Sequence, residues 1–272
     1  MTRLVESDVR TLTASLGTVE ASLKKVTGLD FVGIAARACG VGEGVAREAL
    51  ADATVSVVPI SSGAGVIPGF VECVVAICRH VGCNARVTER RDVGGFAEAL
   101  GGGSTLVFSA DDERFLAINA KRGWMADNDP CTAHAYVAAL DAAAGVAGKP
   151  VLVLGLGPVG RAAAVRLAEL GARVFACEPD QERLDAAAAE LPLTAVTLAE
   201  GIAHCWLVLD ATPVPDLIDI GWVWADCIVS APGLPAGVTD ELRDKLGERL
   251  VHEPLALGVA TMAVHALVGP RD

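Results

Sequence analysis

The run Gly155-Leu156-Gly157-Pro158-Val159-Gly160 is the part of the chain whose spacing points most directly to a chemistry. It follows the apolar run Val151 to Leu154, opens a helical stretch to Leu170, and meets Glu178 at the end of the next strand. In that context each part has a task. Gly155 permits a tight turn, Gly157 lets the backbone approach a pyrophosphate, and Gly160 lets helix pack on strand. Pro158 suits a first helical turn, where no amide hydrogen is needed. The helix N-terminus holds the diphosphate. Glu178 can accept from both ribose hydroxyls and would repel a 2′-phosphate, so the cofactor expected is NAD; Arg183, five residues on, argues the other way. Two more strand-end turns, Asp210-Ala211-Thr212-Pro213 and Ser230-Ala231-Pro232-Gly233, should border the nicotinamide half, through Thr212, Pro213, Ser230 and Pro232.

The first half offers polar turns that could face such a ring. Ser61-Ser62-Gly63-Ala64-Gly65 follows a strand and presents hydroxyls and amides. Asp111-Asp112 follows another strand. Asn128-Asp129-Pro130-Cys131-Thr132 precedes a helix whose free amides could hold a carboxylate, with Thr132 as the N-cap. The bland alternatives are ordinary caps on a solvated face for Asp111 and Asp112, and a buried thiol for Cys131. No metal is expected. Cys73, Cys78 and Cys83 stand five apart around His80, and no Cys-x-x-Cys occurs.

The elements that must position these groups alternate. An amphipathic helix carries Leu12, Leu16, Val19, Leu23 and Val26, ends at Gly28, and is followed by a short helix capped by Asp30. Strands are expected at Val55 to Ile60, Ala85 to Thr88 and Thr105 to Ser109, with helices at Phe70 to His80, Val93 to Leu100 and Thr132 to Ala144. This predicts a mostly parallel sheet. After Gly145 to Pro150 the pattern restarts, with strands at Val151, Arg173, Trp206, Cys227 and Arg249. The expected architecture is α/β: a helix-rich α/β substrate-binding domain over 1–148, a Rossmann-type dinucleotide-binding domain over 149–254, and a C-terminal helix and tail over 255–272 that can pack back on the first domain or at a subunit interface in a homodimer.

Of 272 residues 52% are hydrophobic and 21% charged, enough for sizeable cores, and the net charge is −12. An acidic surface argues against nucleic acid and anionic membrane as partners. No span is expected, because the longest uncharged stretch is broken by Pro59 and Pro68, and no signal peptide, because Met1 to Asp8 has no apolar core. The address expected is cytoplasmic.

The ordered blocks Val26-Thr27-Gly28-Leu29-Asp30, Ile60 to Gly65, Ala110 to Ala117, Pro130-Cys131-Thr132, Gly155 to Gly160, Ala211-Thr212-Pro213, Pro232 to Pro235 and Glu253-Pro254-Leu255 together resemble the pyrrolysine synthase family over nearly the whole chain. The resemblance implies a small dipeptide-like substrate, lysine acylated on its ε-nitrogen by 3-methyl-D-ornithine. It further implies NAD-dependent oxidation of the ornithine side-chain amine, loss of ammonia and closure of a pyrroline ring. Asp111 matches the acidic residue that would anchor that amine and accept its proton, and Ser62, with Ser61, would orient the substrate. The alternatives are a two-domain shikimate or methylene-tetrahydrofolate type dehydrogenase, disfavoured by the scarcity of lysine in the strand-end turns, and a non-catalytic NAD-binding sensor.

Overall fold

The computed structural model describes residues 6–63 and 68–269, without the side chains of residues 6–12. Ala64 and Gly65 of the expected serine turn, and the side chain of Leu12, therefore lie outside the described residues. The chain opens on α1 (Glu6–Thr27), α2 (Phe31–Cys39) and α3 (Glu43–Ala51). Leu16 and Leu23 bury one face of α1. Asp30 caps α2 by accepting from the Gly33 amide at 2.9 Å, and Gly40 (φ 64°) ends it in the left-handed region that a side chain would resist.

Then come β1 (Thr54–Val58), α4 (Phe70–His80), β2 (Asn84–Val87), α5 (Asp92–Gly101), β3 (Leu106–Ala110), β4 (Phe115–Asn119), β5 (Met125–Asp127) and α6 (Asn128–Ala144). They form a sheet of order β2-β1-β3-β4-β5. The first three strands are parallel and the last two antiparallel, which corrects the expectation of a mostly parallel sheet here. The cause is a tight hairpin at Asp111–Arg114. The Asp111 amide donates to the Arg114 carbonyl at 3.0 Å, turning the chain straight back into β4.

The second sheet is parallel throughout, in the order β11-β10-β9-β6-β7-β8. Its elements run β6 (Pro150–Leu154), α7 (Pro158–Glu169), β7 (Arg173–Cys177), α8 (Gln181–Glu190), β8 (Leu193–Ala195), α9 (Leu198–His204), β9 (Leu207–Asp210), β10 (Ile228–Ser230), α10 (Asp240–Leu246), a 3₁₀ turn (Gly247–Arg249) and β11 (Leu250–Val251). From β6 the order steps outward to β7 on one side and to β9 on the other, the arrangement that opens a ligand crevice at the strands' carboxyl ends. This is a Rossmann-type domain beside a helix-rich α/β domain.

The last helix, α11 (Ala256–Val268), returns to the first sheet and packs on α2, α3, α4, α6, β4 and β5. It is apolar almost all round. Buried Leu257, Val259, Met262 and Val264 each contribute about 1.5–3 kcal/mol. The side-chain amide of Asn119 donates to the Ala266 carbonyl at 2.9 Å and ties α11 to β4. Helix α6 links the two sheets: its Tyr136 carbonyl accepts from the Ser230 hydroxyl at 2.9 Å, at the end of β10. Among the described residues no helix is long and apolar enough to cross a membrane.

Candidate active site

The carboxyl ends of both sheets face one cleft of about 360 Å³. Ser62, Phe70, Asp111, Asp112 and Phe115 line it from the first sheet, and Asn128, Asp129, Thr132 and Tyr136 from α6. Pro158, Val159, Thr212, Pro232, Gly233 and Leu234 face them from the second sheet, and Glu253 to Leu255 and Gly258 close the floor.

The glycine turn fits a dinucleotide. Gly155 (φ +80°) could carry no side chain without strain, and a Cβ there would lie 3.0 Å from Thr212 Cγ2. A Cβ on Gly160 would lie 1.9 Å from the Gly155 carbonyl oxygen, so helix α7 can approach β6 only through a glycine. Gly157 is different, because a Cβ there meets nothing within 4 Å. No protein contact demands that glycine, and the open space is where a pyrophosphate would approach. Pro158 sits in the first turn of α7, whose start has no side-chain cap, so its amides remain available to an anion.

Glu178 holds this turn from behind. Its Oε2 accepts from the Leu156 amide at 2.7 Å and its Oε1 from the Asp180 amide at 3.0 Å. Arg183, the residue that argued for a 2′-phosphate, lies 3.5 Å from Glu178 and 3.6 Å from Asp180. Two carboxylates beside it weaken any attraction for that phosphate. Farther along, Thr212 and Pro232 line the cleft while Pro213 does not. Ser230 is buried with its hydroxyl on Tyr136, which turns it away from a ligand.

On the opposite wall, Asp111 Oδ1 accepts from the Glu113 and Arg114 amides, both at 2.8 Å. These hydrogen bonds hold its carboxyl below the usual carboxylate range, Arg114 contributing most. Ser62 is in the cleft, but Ser61 is not. The Ser61 hydroxyl donates to Asp92 Oδ2 at 2.6 Å and its amide to Oδ1 at 2.8 Å, so Asp92 pins the turn and leaves Ser62 facing inward. Gly63 (φ +71°) lies in the left-handed region that a side chain would resist, and its turn lies against the Asp112 carboxylate of the acidic hairpin.

Helix α6 begins a turn earlier than the sequence suggests. Its N-cap is Asp127, which accepts from the Asp129 amide at 3.3 Å, and Thr132 sits in the second turn. The threonine hydroxyl instead donates to Asn128 Oδ1 at 3.2 Å, placing both side chains on the cleft face. Asp127 turns its carboxylate to the Arg114 guanidinium at 2.5 Å, while Asp129 lines the cleft, so a substrate carboxylate at this helix end would have Asp129 beside it.

Three residues carry roles here that the sequence alone did not assign to them individually. Glu253 is buried under the cleft and caps α11, accepting amides from Leu255 at 3.0 Å, Leu257 at 2.7 Å and Ala256. Burial pushes its carboxyl up against the pull of those amides. The Tyr136 hydroxyl donates to the Glu253 carbonyl and accepts from the Glu253 amide at 3.0 Å. Asp210 is buried at the end of β9. An acid placed just before a turn or before an apolar helix was the available signal for Asp210 and Glu253. Cys131 is buried and its thiol is held up by that burial, which leaves little thiolate for a nucleophile. Among the described residues no group of three or more His, Cys, Asp or Glu is placed to hold a metal ion.

Residues 8–126 match the family model described as "Pyrrolysine biosynthesis protein PylD, N-terminal domain". Residues 115–216 match that of the NAD binding domain of D-isomer specific 2-hydroxyacid dehydrogenases. The pyrrolysine synthase of Methanosarcina acetivorans is 32% identical over 262 residues, covering 96% of this chain and 98% of the relative. The chain belongs to the pyrrolysine synthase family. The Methanosarcina barkeri pyrrolysine synthase is 33% identical over 267 residues, covering 98% of each chain. The Aquifex aeolicus shikimate dehydrogenase structure is similar in fold, with a TM-score of 0.52 at 16% identity over 79% of this chain and 91% of that one. The family match and the NAD-binding domain make the chain an NAD-dependent oxidoreductase of pyrrolysine biosynthesis acting on a small molecule.

Proposed function

We propose that the chain oxidises the terminal amine of Nε-(3-methyl-D-ornithyl)-L-lysine and closes the product to L-pyrrolysine, in the cytoplasm. One observation carries this reading: Asp111, Ser62, Asn128 and Thr132 share a single cleft with Pro158 and Thr212 of the dinucleotide-binding side. The residues of the first sheet and α6, 1–148 with 255–272, then form the substrate lobe, and 149–254 the NAD lobe.

The carboxylates on the substrate wall suit a substrate rich in ammonium groups. Asp111 is held low in pKa, which makes it a good anchor for the reacting ammonium and a weak base toward it. The ammonium must shed its proton before its carbon can release hydride, since only a nitrogen lone pair can form the C=N bond. NAD⁺ supplies the hydride acceptor. Loss of hydride from the carbon and of a proton from nitrogen leaves a substrate imine. The ornithine α-amine then adds to that carbon, ammonia leaves, and the ring C=N remains. Ser62, Asn128 and Thr132 would hold the chain folded so that the α-amine stands next to the carbon. Phe70 and Phe115 line the same cleft and restrict water around the imine.

The test is NADH formation with mass detection of products, on the native protein and on Asp111→Asn. The native protein should yield NADH and the pyrroline amino acid together, and the variant, which loses the anchor, should fall about 10²-fold in turnover while binding NAD⁺ as before. Native protein that binds NAD⁺ but forms no NADH from this amide would overturn the reading. Full turnover by the variant would remove Asp111 from it.

A further inference from the structure

Asp210 is completely buried, and its carboxylate joins two loops. Oδ1 accepts from the Thr212 hydroxyl at 2.7 Å and the Thr212 amide at 3.1 Å, in the loop after β9. Oδ2 accepts from the Gly237 amide at 2.6 Å, in the loop after β10. The backbone carbonyl of Asp210 takes a fourth bond, from the Gly233 amide at 3.0 Å. The two loops are packed to the limit around this post. A Cβ on Gly233 would stand 2.1 Å from the Thr212 carbonyl oxygen, and one on Gly237 2.7 Å from Asp210 Oδ2.

A buried carboxylate is a costly way to hold a turn. Asparagine would serve one loop, but its amide nitrogen would point a donor at a donor on the other. A group that accepts on both sides is needed only if both loops must be fixed together. What they form together is a wall of the cleft: Thr212, Pro232, Gly233 and Leu234 all line it. The wall abuts the glycine turn, since the Ala211 amide donates to the Leu154 carbonyl at 2.9 Å and Thr212 crowds Gly155.

We propose that Asp210 is a positioning residue for the nicotinamide end of the cofactor, fastening the loops after β9 and β10 into the one surface that sets the ring against the substrate. The proposal rests on NAD lying along the crevice from Glu178 to Thr212. It assigns the adenosine and pyrophosphate to the glycine turn and the ring to the wall that Asp210 holds.

Calorimetric titration of the full chain with ADP-ribose and with NAD⁺ separates the two ends, beside kcat and KM for the amine. Asp210→Asn and the milder Thr212→Val should leave ADP-ribose affinity within about twofold. NAD⁺ affinity and kcat should each fall roughly tenfold, with KM for the amine little changed. Rescue by Asp210→Glu is not expected, because the longer side chain cannot keep both sets of bonds. If Asp210→Asn does not fold, Thr212→Val alone carries the test. Parallel losses of ADP-ribose and NAD⁺ affinity, or a lowered Tm with an unchanged affinity ratio and unchanged kcat, would overturn the proposal. Native protein that binds neither ligand would instead refute the cofactor placement beneath it.

Discussion

Replacing Gly157 with alanine should separate cofactor binding from folding. The residue is at φ −63° and ψ −175°, a conformation open to alanine, and the added methyl meets no protein atom within 4 Å. Alanine is a poorer N-cap than glycine, at a cost of up to about 1 kcal/mol. It also restricts the unfolded chain, a gain of about 0.4–1 kcal/mol. The two nearly cancel, so Tm should move by no more than about 2–4 °C. The cofactor should feel the methyl fully. An extra methyl in a packed contact costs about 1–3 kcal/mol, which is roughly a 5- to 150-fold weaker Kd for NAD⁺. Gly160→Ala is the control, since its Cβ would fall 1.9 Å from the Gly155 carbonyl oxygen and must displace backbone. That variant should lose stability first, with Tm down by more than about 4 °C. Scanning calorimetry and NAD⁺ titration of both variants suffice. Gly157→Ala that binds NAD⁺ as tightly as the parent would show that the pyrophosphate does not pass over this turn.

The rest of the cleft gives three more expectations. Asp111 is ionised above its lowered pKa and loses its charge only as pH falls through that value, so the acid limb of the kcat/KM profile should lie below the ordinary carboxylate range. A separate rise toward alkaline pH should follow as the substrate ammonium deprotonates, and a lower break that lies above pH ~5 and vanishes in Asp111→Asn would contradict this. Gly258→Ala would place a Cβ 2.6 Å from Thr132 Oγ1 and 3.3 Å from Asn128 Oδ1, so KM for the amine should rise severalfold while NAD⁺ affinity holds. Tyr136→Phe leaves the buried Glu253 amide and carbonyl without the hydroxyl, a loss of about 1–3 kcal/mol, and thermal unfolding should show Tm lower by roughly 2–12 °C.

The glycine turn and the strands around it were legible because each requirement there is local: a buried run, a tight turn, a proline in the first turn of a helix. The hairpin into β4 was not. Its strand alternates buried Phe115, Ala117 and Asn119 with half-buried Leu116 and Ile118, but the acidic turn before it reads equally well as a helix cap. Register between strands decided the matter, and that is a long-range property. Thr132 was misplaced for a related reason. Asp127 and Thr132 both have capping side chains, and the proline between them is tolerated in a first helical turn, so the true start was hidden one turn upstream. Ser61, Ser62 and Ser230 are chemically alike in sequence. Only packing shows that Ser61 binds Asp92 and Ser230 binds Tyr136, while Ser62 remains in the cleft.

The return of α11 to the first sheet has a consequence for how the chain acquires its shape. A ribosome that has emitted residues through Glu253 has already released every strand of both sheets. The Rossmann sheet then has the elements of its own core, whereas the earlier-made sheet still lacks the helix against which α2, α4 and α6 pack. The earlier-made sheet is thus completed after the later-made one, and its apolar surface stays open to chaperones or to misassociation until α11 emerges. Shortening the chain at residue 255 should accordingly leave a nascent protein whose second sheet can mature while its first sheet remains uncondensed.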